Sequence, residues 1–386
     1  MNILWIPHAP WHVPQRARFF AEALAERHRV HVTHWDTDFR RVGDYLSLRY
    51  LRNFRRRTWQ ERGVTLTQVP RFSPALFSRR LRDLNSRVYR RVLADLIERE
   101  GIDVVVGSFV VPPPPGVARV LDVFDDNVNL WQTGGGHPGY VRDIEENEQA
   151  WLRSGQGAVA VSSVLAEQVQ DRFPEQQVTH VPNAVDLRRF VPDRARARRE
   201  LGLRENTRYV GNIGALDRRE EADRLLAVAE RLRGERGTEL LVVGRGAALP
   251  YLERQLARRA LSKVRCVGFL TGDVLLRYFQ SLDVGLCPYR ATPADHVRSP
   301  MRLLHYSAVG AGVVSPRLRE VERMAFGNVT LTDDDDEAFA EGVLTSLDRP
   351  AGVPSAIAGY DQQVVGARYE AALSAAVKRG SGGSRT

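Results

Sequence analysis

Short apolar runs alternate with amphipathic segments along most of the chain. Residues 2–6 form the first apolar run, and the segment after it places Phe19, Phe20, Ala23 and Leu24 at helical spacing. In this half the pattern predicts strands at residues 2–6, 30–32, 102–106, 120–124 and 158–162, and helices at 16–29, 84–99 and 144–152. Apolar strands that alternate with helices are typical of a parallel sheet covered on both faces.

The alternation is interrupted at residues 182–200, where a loop precedes a polar helix, and then restarts. The second half has predicted strands at 209–213, 239–243, 264–267, 284–288 and 312–315, and helices at 222–233 and 249–259. All six tryptophans lie at or before Trp151 and both cysteines lie after residue 260, so the halves also differ in composition. We predict an α/β protein with doubly wound domains at residues 1–185 and 186–360. A helix at 361–378 would pack back across the junction, and a disordered tail would occupy 379–386.

This architecture predicts where ligands bind. In open α/β sheets they lie at the carboxyl ends of the strands, where tight turns and helix N-termini present free N–H groups. Two such domains facing each other across a cleft would suit one substrate per domain, with chemistry between them. The fold class alone does not establish that arrangement, so function has to be inferred from the motifs.

Composition limits the setting in which the protein works. Two cysteines, Cys266 and Cys287, leave no room for a disulfide framework or a Cys-rich zinc site. They form either a single bridge or two thiols in a reducing compartment. No apolar run reaches the ~18–20 residues that span a bilayer, and no cationic segment precedes an apolar stretch at the N-terminus. We therefore expect a soluble, cytoplasmic protein.

The net charge of +9 is concentrated in one segment. Between Arg40 and Arg91, fifteen arginines face Asp44, Glu61 and Asp83, so an anionic partner should meet the protein there. Arginines interleaved with aromatic residues also occur in nucleic-acid-binding proteins, but no nucleic-acid-binding motif accompanies them here, and we expect no nucleic acid. We expect an anionic or lipid-linked partner, or peripheral contact with the inner face of the membrane. The alternative is a solvated arginine-rich face.

The most specific segment is 283–316, in which a strand, a loop, a helix and a second strand follow one another. Ser299 is a favoured N-cap residue and Pro300 a favoured first helical residue. The free N–H groups of that helix start, with Arg298 and Arg302 alongside, would hold a diphosphate. The alternative is an ordinary capped helix with surface arginines.

This segment resembles the donor-site signature of the GT-B glycosyltransferases of group 1, in the teichuronic-acid and exopolysaccharide branch written sPlKlfEYlAaGkPVV. The matching residues are Ser299, Pro300, Arg302 (for Lys), Tyr306, Gly310 and the pair Val313-Val314. Three other segments resemble motifs of the same proteins: VPNAVDLRRF at 181–190, VGNIGALDRREEADRLL at 210–226 and VRCVGFL at 264–270. The resemblance covers most of residues 120–320. It implies a GT-B fold with two Rossmann-like domains, the first binding the acceptor and the second the nucleotide sugar.

The resemblance also implies the activity and the donor-binding residues. A sugar, of hexose type, would pass from a nucleotide diphosphate sugar of UDP or GDP type to a hydroxyl acceptor, with no metal and no other cofactor. The implied nucleotide-binding residues are Gly214, Arg218, Gly244, Phe269, Arg298, Ser299, Pro300, Met301, Arg302 and His305. The family usually has a ribose-binding Glu where His305 stands. A neutral imidazole can accept one hydrogen bond and donate another, so either donor preference is altered or the donor site has degenerated.

Candidate catalytic residues lie in the first half. The stretch VLDVFDDNVNLW at 120–131 resembles one in which a carboxylate is a candidate base, and Asp125 follows the strand at its carboxyl end. Such a base takes the acceptor proton if configuration inverts; alternatively, Asp125 or Asp126 caps a turn. Asp122 is a second candidate, or orients the loop by hydrogen bonding. His12, in the first loop, is a third candidate, or a solvated histidine, and Trp11 beside it could stack on a sugar.

Three functions remain open from the sequence. The first is a glycosyltransferase that makes a cell-envelope glycan, a lipid-linked sugar or a glycosylated natural product. The second is a nucleotide-sugar 2-epimerase, which shares the architecture and needs no acceptor. The third is a non-catalytic subunit that binds a nucleotide sugar or a polyanion, which His305 in place of Glu would favour.

Overall fold

The structure is a computed structural model that describes residues 1–12, 15–35, 54–72 and 78–382. It divides into two compact units. The first comprises Met1–Pro182 together with Gly366–Thr386, and the second comprises Asn183–Val365. The division falls in the interrupted part of the hydrophobic pattern, where the sequence places the junction at 185/186.

The first unit is an α/β layer structure built on one sheet, with strand order β3-β4-β2-β1-β5-β6-β7-β8. β3 is antiparallel to β4, and the other neighbouring pairs among these strands are parallel. The strands are β1 (Asn2–Trp5), β2 (Arg29–His34), β3 (Thr58–Glu61), β4 (Val64–Gln68), β5 (Val104–Gly107), β6 (Ala118–Val123), β7 (Gly157–Ala160) and β8 (Val178–His180). The helices are α1 (Arg16–Ala25), α2 (Arg79–Glu100), α3 (Asn127–Thr133), α4 (Pro138–Ser154) and α5 (Ser163–Arg172).

Local signals account for the ends of these elements. Ser78 caps α2 by accepting a hydrogen bond from the backbone N–H of Leu81, and Gly101 ends that helix at a φ of 58°. The hairpin between β3 and β4 turns at Arg62 and Gly63, both at positive φ, as expected of a two-residue hairpin turn.

The second unit has a fully parallel sheet of order β11-β10-β9-β12-β13-β14 in its described strands. These are β9 (Arg208–Ile213), β10 (Thr238–Val243), β11 (Val264–Gly268), β12 (Val284–Leu286), β13 (Gly312–Pro316) and β14 (Val329–Thr332). The helices of this part of the chain are α6 (Arg194–Glu200), α7 (Arg219–Arg231), α8 (Leu249–Arg258), α9 (Gly272–Ser281), α10 (Pro293–His296), α11 (Met301–Ala308), α12 (Arg319–Met324), α13 (Asp336–Leu347) and α14 (Gln362–Gly382).

Both faces of the second sheet are buried. Along β10, Leu241 and Val243 belong to one apolar cluster, whereas Leu240 and Val242 belong to another. Because successive side chains of a strand point to opposite faces, the two clusters are the two layers of the core. This explains why the strands read as continuous apolar runs, and the α/β prediction is confirmed.

A buried arginine connects α7 to the start of α13. Arg224 is fully buried and donates hydrogen bonds to Asp334 (2.6 Å) and Asp336 (3.1 Å), while its guanidinium lies 5.0 Å from the ring of Phe339. Asp335, between the two carboxylates, caps α13 by accepting from the N–H of Ala338. Three consecutive aspartates, Asp334, Asp335 and Asp336, therefore pair with the buried arginine and cap α13.

The structure bears on three of the predictions made from the sequence: where the last helix ends, whether the two cysteines are bridged, and whether a helix could span a membrane. Helix α14 continues to Gly382, so the expected boundary between helix and tail at 378/379 is wrong; residues 383–386 lie outside the described residues. Cys266 and Cys287 are both free thiols, which removes the single-bridge alternative. In the part of the chain that the structure describes, no helix combines the length and the apolar character needed to cross a bilayer.

Candidate functional site

Two glycine turns shape the carboxyl edge of the second sheet. Gly214 follows β9 at a φ of 139°, and Gly244 follows β10 at a φ of 147°. A Cβ atom on Gly244 would lie 2.0 Å from the carbonyl oxygen of Gly214, so the two turns can approach this closely only because Gly244 has no side chain. Backbone atoms therefore form this edge of the sheet, and side chains from other segments have room to pack against it.

Helix α11 supplies such a side chain, and it begins one residue later than predicted. The N-cap is Pro300 (φ −78°, ψ 109°) and the first helical residue is Met301, whereas the sequence predicts Ser299 and Pro300 in those positions. Proline is accommodated because its fixed φ suits a helix entry. The Oγ of Ser299 is buried and has no hydrogen-bond partner among the described residues, while the carbonyl oxygen of Ser299 accepts from Asn183 Nδ2 at 2.8 Å.

Arg302, on the first turn of α11, reaches back to the glycine edge. Its guanidinium donates to Asn212 Oδ1 at 2.7 Å and to the carbonyl oxygen of Ala215 at 3.0 Å. A Cβ on Gly214 would lie 2.9 Å from the same guanidinium, and the positive φ of Gly214 independently favours glycine at this position. The guanidinium also lies 5.2 Å from the ring centre of Tyr289, within cation–π range.

Two further predicted arginines meet at a buried carboxylate. Asp295, fully buried in α10, accepts hydrogen bonds from Arg218 at 2.8 Å and from Thr292 Oγ1 at 2.7 Å. Its other oxygen forms an ion pair with Arg298 at 3.2 Å. Arg298 also lies 5.1 Å from the ring of Tyr289, on which Arg302 stacks too. The structure thus brings Arg218 together with Arg298 and Arg302, which lie about 80 residues later in the sequence.

Sequence reasoning missed two residues of this cluster, Asn212 and Asp295. The Nδ2 of Asn212 is buried and has no hydrogen-bond partner among the described residues, although its Oδ1 binds Arg302. A polar residue within the otherwise apolar β9 was the available signal for Asn212. Buried polar atoms are normally paired, so Asn212 Nδ2 and Ser299 Oγ, both beside arginines, are typical of a site that binds a polar ligand.

Phe269 and Met301 supply exposed apolar surface in this unit. Phe269 directly follows β11, is 55% exposed, and has the guanidinium of Arg245 4.3 Å from its ring centre. Met301 is 38% exposed at the start of α11. An exposed aromatic ring at the carboxyl end of a parallel strand is suited to stacking against a planar group.

His305 is packed between two aromatic rings. Its imidazole is stacked on Phe190, with ring centres 4.3 Å apart and planes at 10°, and meets Phe279 edge-on at 4.9 Å. Burial lowers the pKa of His305 to about 4, so the ring is neutral at pH 7. A neutral imidazole retains one donor and one acceptor nitrogen for a hydroxyl group.

We expect His305 to make the stability of the second unit depend on pH. Its folded pKa of about 4 lies below the 6.5 of an unperturbed histidine, so the unfolded chain binds a proton between these values that the folded chain does not. Stability is therefore complete above pH 6.5 and is lost as pH falls towards 4. In urea titrations at pH 7.5, 5.5 and 4.5, His305→Gln should show a shallower decline of unfolding free energy than the wild type. Parallel declines would contradict the assignment.

In the first unit, Asp122 is held in a buried ion pair. It is 5% exposed and accepts from the Nε of Arg16 at 3.0 and 3.2 Å. Burial raises the pKa of Asp122 while Arg16 opposes the rise. Arg16 also donates to the carbonyl oxygens of Val181 (2.6 Å) and Pro182 (2.9 Å). These contacts match the orienting alternative for Asp122 better than the role of a base.

The other first-unit candidates lie at the ends of β1 and β6. Asp125 is half-buried after β6, and Asp126 caps α3 by accepting from the N–H of Asn129 at 3.2 Å. His12 is exposed, with its ring 6.5 Å from that of His34 in an edge-on arrangement. Trp11 is only 2% exposed, so the expectation that it stacks on a sugar is wrong: its ring is packed in the core.

Part of the basic segment between Arg40 and Arg91 falls outside the described residues, namely 40–53 and 73–77. Within the described part, Arg56 pairs with Asp95 and Arg82 pairs with Asp143. The guanidinium of Arg71 lies 5.2 Å from the ring centre of Trp35.

Comparisons with known proteins agree with this geometry. Residues 207–349, which lie in the second unit, match the family described as "Glycosyl transferases group 1". D-inositol 3-phosphate glycosyltransferase of Corynebacterium jeikeium is 35% identical over 150 residues, which is 36% of this chain and 35% of that protein. The curated relatives are matched over 40% of their length or less.

Solved structures extend the likeness to the whole chain. Sucrose-phosphate synthase from Thermosynechococcus elongatus has a TM-score of 0.69 at 16% identity, covering 98% of this chain and 97% of that one. HepE from Anabaena, in complex with UDP and glucose, has a TM-score of 0.67 at 15% identity, covering 97% and 99%. At such identities the likeness establishes the fold, and the predicted GT-B fold with two Rossmann-like domains is confirmed.

Proposed function

We propose that this protein is a glycosyltransferase that moves a sugar of hexose type from a nucleotide diphosphate sugar to a hydroxyl acceptor. The second unit would bind the donor and the first unit the acceptor. The observation that carries the proposal is the convergence of Arg218, Arg298 and Arg302 at the start of α11 and the glycine edge of the sheet. The group 1 domain at 207–349 supports the same reaction class.

The arginine cluster suits the leaving group of this reaction. A nucleotide diphosphate gains negative charge as the bond to the sugar breaks, and fixed guanidinium groups stabilise that charge where it develops. Ser299 Oγ and Asn212 Nδ2 would supply hydrogen bonds to the phosphate oxygens or the sugar. With this charge supplied by arginines, we expect transfer to proceed without a divalent metal ion, and therefore to survive chelation by EDTA.

The donor is proposed to be of UDP or GDP type. Phe269 would stack on the base, and the neutral His305 would hydrogen-bond the ribose hydroxyls in place of the carboxylate that the sequence motif leads one to expect. UDP is favoured because HepE, which has a similar fold, is described in complex with UDP and glucose. We further propose a cytoplasmic location, where nucleotide sugars are made available.

A nucleotide panel tests the donor proposal. UDP, GDP, ADP, CMP and TDP would be added separately at ~100 times a typical dissociation constant, which stabilises a binding protein by about 2.7 kcal/mol. We expect one diphosphate, UDP first, to raise the melting temperature selectively, and release of that diphosphate from its sugar ester to require an added acceptor. A flat panel would contradict the proposal.

Asp125 is proposed as the general base, because it follows β6 at the carboxyl end and Asp122 is occupied by Arg16. Asp125→Asn should lower turnover by about 100-fold or more and leave the dissociation constant for the nucleotide diphosphate unchanged. Asp126→Asn is the matched control, since an asparagine can still cap α3, and it should retain activity. Full turnover in Asp125→Asn would remove the residue from the mechanism, and His12 would be the next candidate.

A second candidate is a non-catalytic subunit that binds a nucleotide sugar. The observation that favours it is the packing of His305 between Phe190 and Phe279, where a carboxylate would be expected from the motif. This candidate predicts a selective thermal shift with no release of nucleotide diphosphate for any acceptor. A 2-epimerase would instead convert the donor with no acceptor present.

A further inference from the structure

A large cavity lies within the first unit, and none of the candidate residues Asp122, Asp125 and His12 is among the residues that line it. Its volume is about 840 Å³, which is within the usual range of sites for small organic molecules. Trp35, which follows β2, and residues 109–112, which follow β5, line it at the carboxyl ends of their strands. The rest of the wall comes from helices α2 and α4, from Trp131 of α3, and from Arg71 in the segment before α2.

Part of the cavity lining is apolar and largely aromatic. Trp131 is partly exposed and meets Tyr140 edge-on with ring centres 5.0 Å apart. Phe109, Pro112 and Ile144 extend this surface. A wall of this kind stabilises an apolar or aromatic body by removing its surface from water.

The polar lining carries more positive than negative charge. Arg82 and Asp143 form an ion pair with each other, which leaves Arg71, Arg87 and Arg90 against Asp83 and Glu146. Arg87 and Arg90 are three residues apart on α2, exposed, and form no ion pair with another described residue. Two arginines at this spacing lie on the same face of a helix, and guanidinium groups that lack a carboxylate partner can bind a phosphate or carboxylate from a ligand.

We propose that this cavity binds an amphipathic anion, that is, an apolar or aromatic body that carries a phosphate or carboxylate, and that this molecule is the acceptor. The apolar body would lie against Trp131 and Tyr140, and the anionic group would meet Arg87 and Arg90. The identification of the ligand as acceptor rests on the proposed function; the binding itself does not. The positive charge of Arg87 and Arg90 holds the anionic group of the ligand at α2. The opposite end of the ligand therefore points away from that helix.

Calorimetric titration of the full chain tests the proposal with defined probes. Geranyl phosphate, 1-naphthyl phosphate and 1-naphthoate would be compared with geraniol, 1-naphthol and inorganic phosphate. We expect at least one amphipathic anion to bind about 10-fold or more tightly than both its neutral counterpart and inorganic phosphate. The geranyl and naphthyl probes distinguish an isoprenoid body from an aromatic one, and the naphthoate distinguishes a carboxylate from a phosphate.

Two double variants provide the matched comparison. Arg87→Gln with Arg90→Gln should weaken the anionic probes by about 10-fold or more and leave the neutral ones unchanged. Arg79→Gln with Arg91→Gln removes two exposed arginines of the same helix that do not line the cavity, and should change neither. Trp131→Ala should weaken anionic and neutral probes alike.

Three results would overturn the proposal. They are binding of the neutral probes as tight as that of the anions, equal losses in the two double variants, and no binding of any amphipathic probe. UDP binding is measured on the same samples. Because the UDP site is assigned to the second unit, this measurement shows whether the donor proposal fails independently of the cavity proposal. Probe binding without UDP binding would leave the cavity as a ligand site and remove its identification as an acceptor site.

Discussion

Replacement of Arg302 by Gln is expected to weaken UDP binding by about 10-fold or more. A charge-assisted hydrogen bond contributes about 1.5–3 kcal/mol, and 1.4 kcal/mol is a factor of ten in affinity. Arg302 is fixed by Asn212 Oδ1 and the carbonyl oxygen of Ala215, so its guanidinium is already oriented before a ligand arrives. Glutamine keeps a donor but lacks the charge and the length to reach the same point.

Two controls distinguish a binding role from a structural one. Arg302→Lys keeps the positive charge and should retain more affinity than Arg302→Gln. Arg317→Gln removes an arginine of the same unit that is largely exposed and pairs with Glu322, and it should bind UDP as the wild type does. Titration calorimetry on the three variants measures the ratio of dissociation constants. Unchanged affinity in Arg302→Gln would place the diphosphate elsewhere.

Replacement of Arg224 by Met is expected to destabilise the second unit by about 3–5 kcal/mol, the usual cost of breaking an ion pair by removing its buried partner. Arg224 is fully buried, and its loss would leave Asp334 and Asp336 near an apolar side chain. Arg290 remains within 2.7 Å of Asp336 and should keep the loss towards the lower end of that range. Urea unfolding followed by far-ultraviolet circular dichroism measures the change.

The matched control for Arg224 is Arg231→Met on the same helix. Arg231 pairs with Glu341 but is 43% exposed, so its loss should cost no more than about 1 kcal/mol. Adding Asp334→Asn and Asp336→Asn to Arg224→Met should recover part of the lost stability, because the unpaired charges are then removed. Equal stability of Arg224→Met and the wild type would show that the ion pairs contribute nothing net.

The fold could be predicted from the sequence where burial determines which residue types occupy an element. Strands such as β1, β5 and β10 are buried on both faces, so they appear in the sequence as uninterrupted apolar runs. The hairpin of β3 and β4 was missed because β3 lies at the sheet edge and alternates exposed with half-buried residues. Its turn uses Arg62-Gly63 rather than the usual Asn-Gly or Asp-Gly, so the turn signal was weak as well.

The sequence predicted those residues of the candidate site that lie together in one continuous segment. Arg298, Ser299 and Arg302 lie within five residues around the start of α11, and the sequence motif identifies them together. Asp295 and Asn212 were missed because their roles depend on contacts between distant segments: Asp295 joins Arg218 to Arg298, and Asn212 positions Arg302. Such contacts leave no local periodicity, and only the folded chain reveals them.

The polarity of a residue was a poor guide to its role in the first unit. Asp122 interrupts an apolar strand, which in the sequence resembles a catalytic carboxylate, yet it is neutralised by Arg16. Tyr369 of α14 lies in the same cluster, with the guanidinium of Arg16 5.7 Å from its ring centre. The partners come from segments more than a hundred residues away, so sequence spacing could not indicate the pairing.

Hydrogen–deuterium exchange with and without saturating UDP tests the central claim most directly, because it reports the site residue by residue. We predict slower exchange at the backbone amides of Gly214, Gly244, Ser299, Met301 and Arg302, with residues 118–133 of the first unit unchanged. Arg302→Gln should reduce that protection at the same UDP concentration. Protection confined to the first unit, or none at the glycine turns and the start of α11, would contradict the assignment of this edge as the donor site.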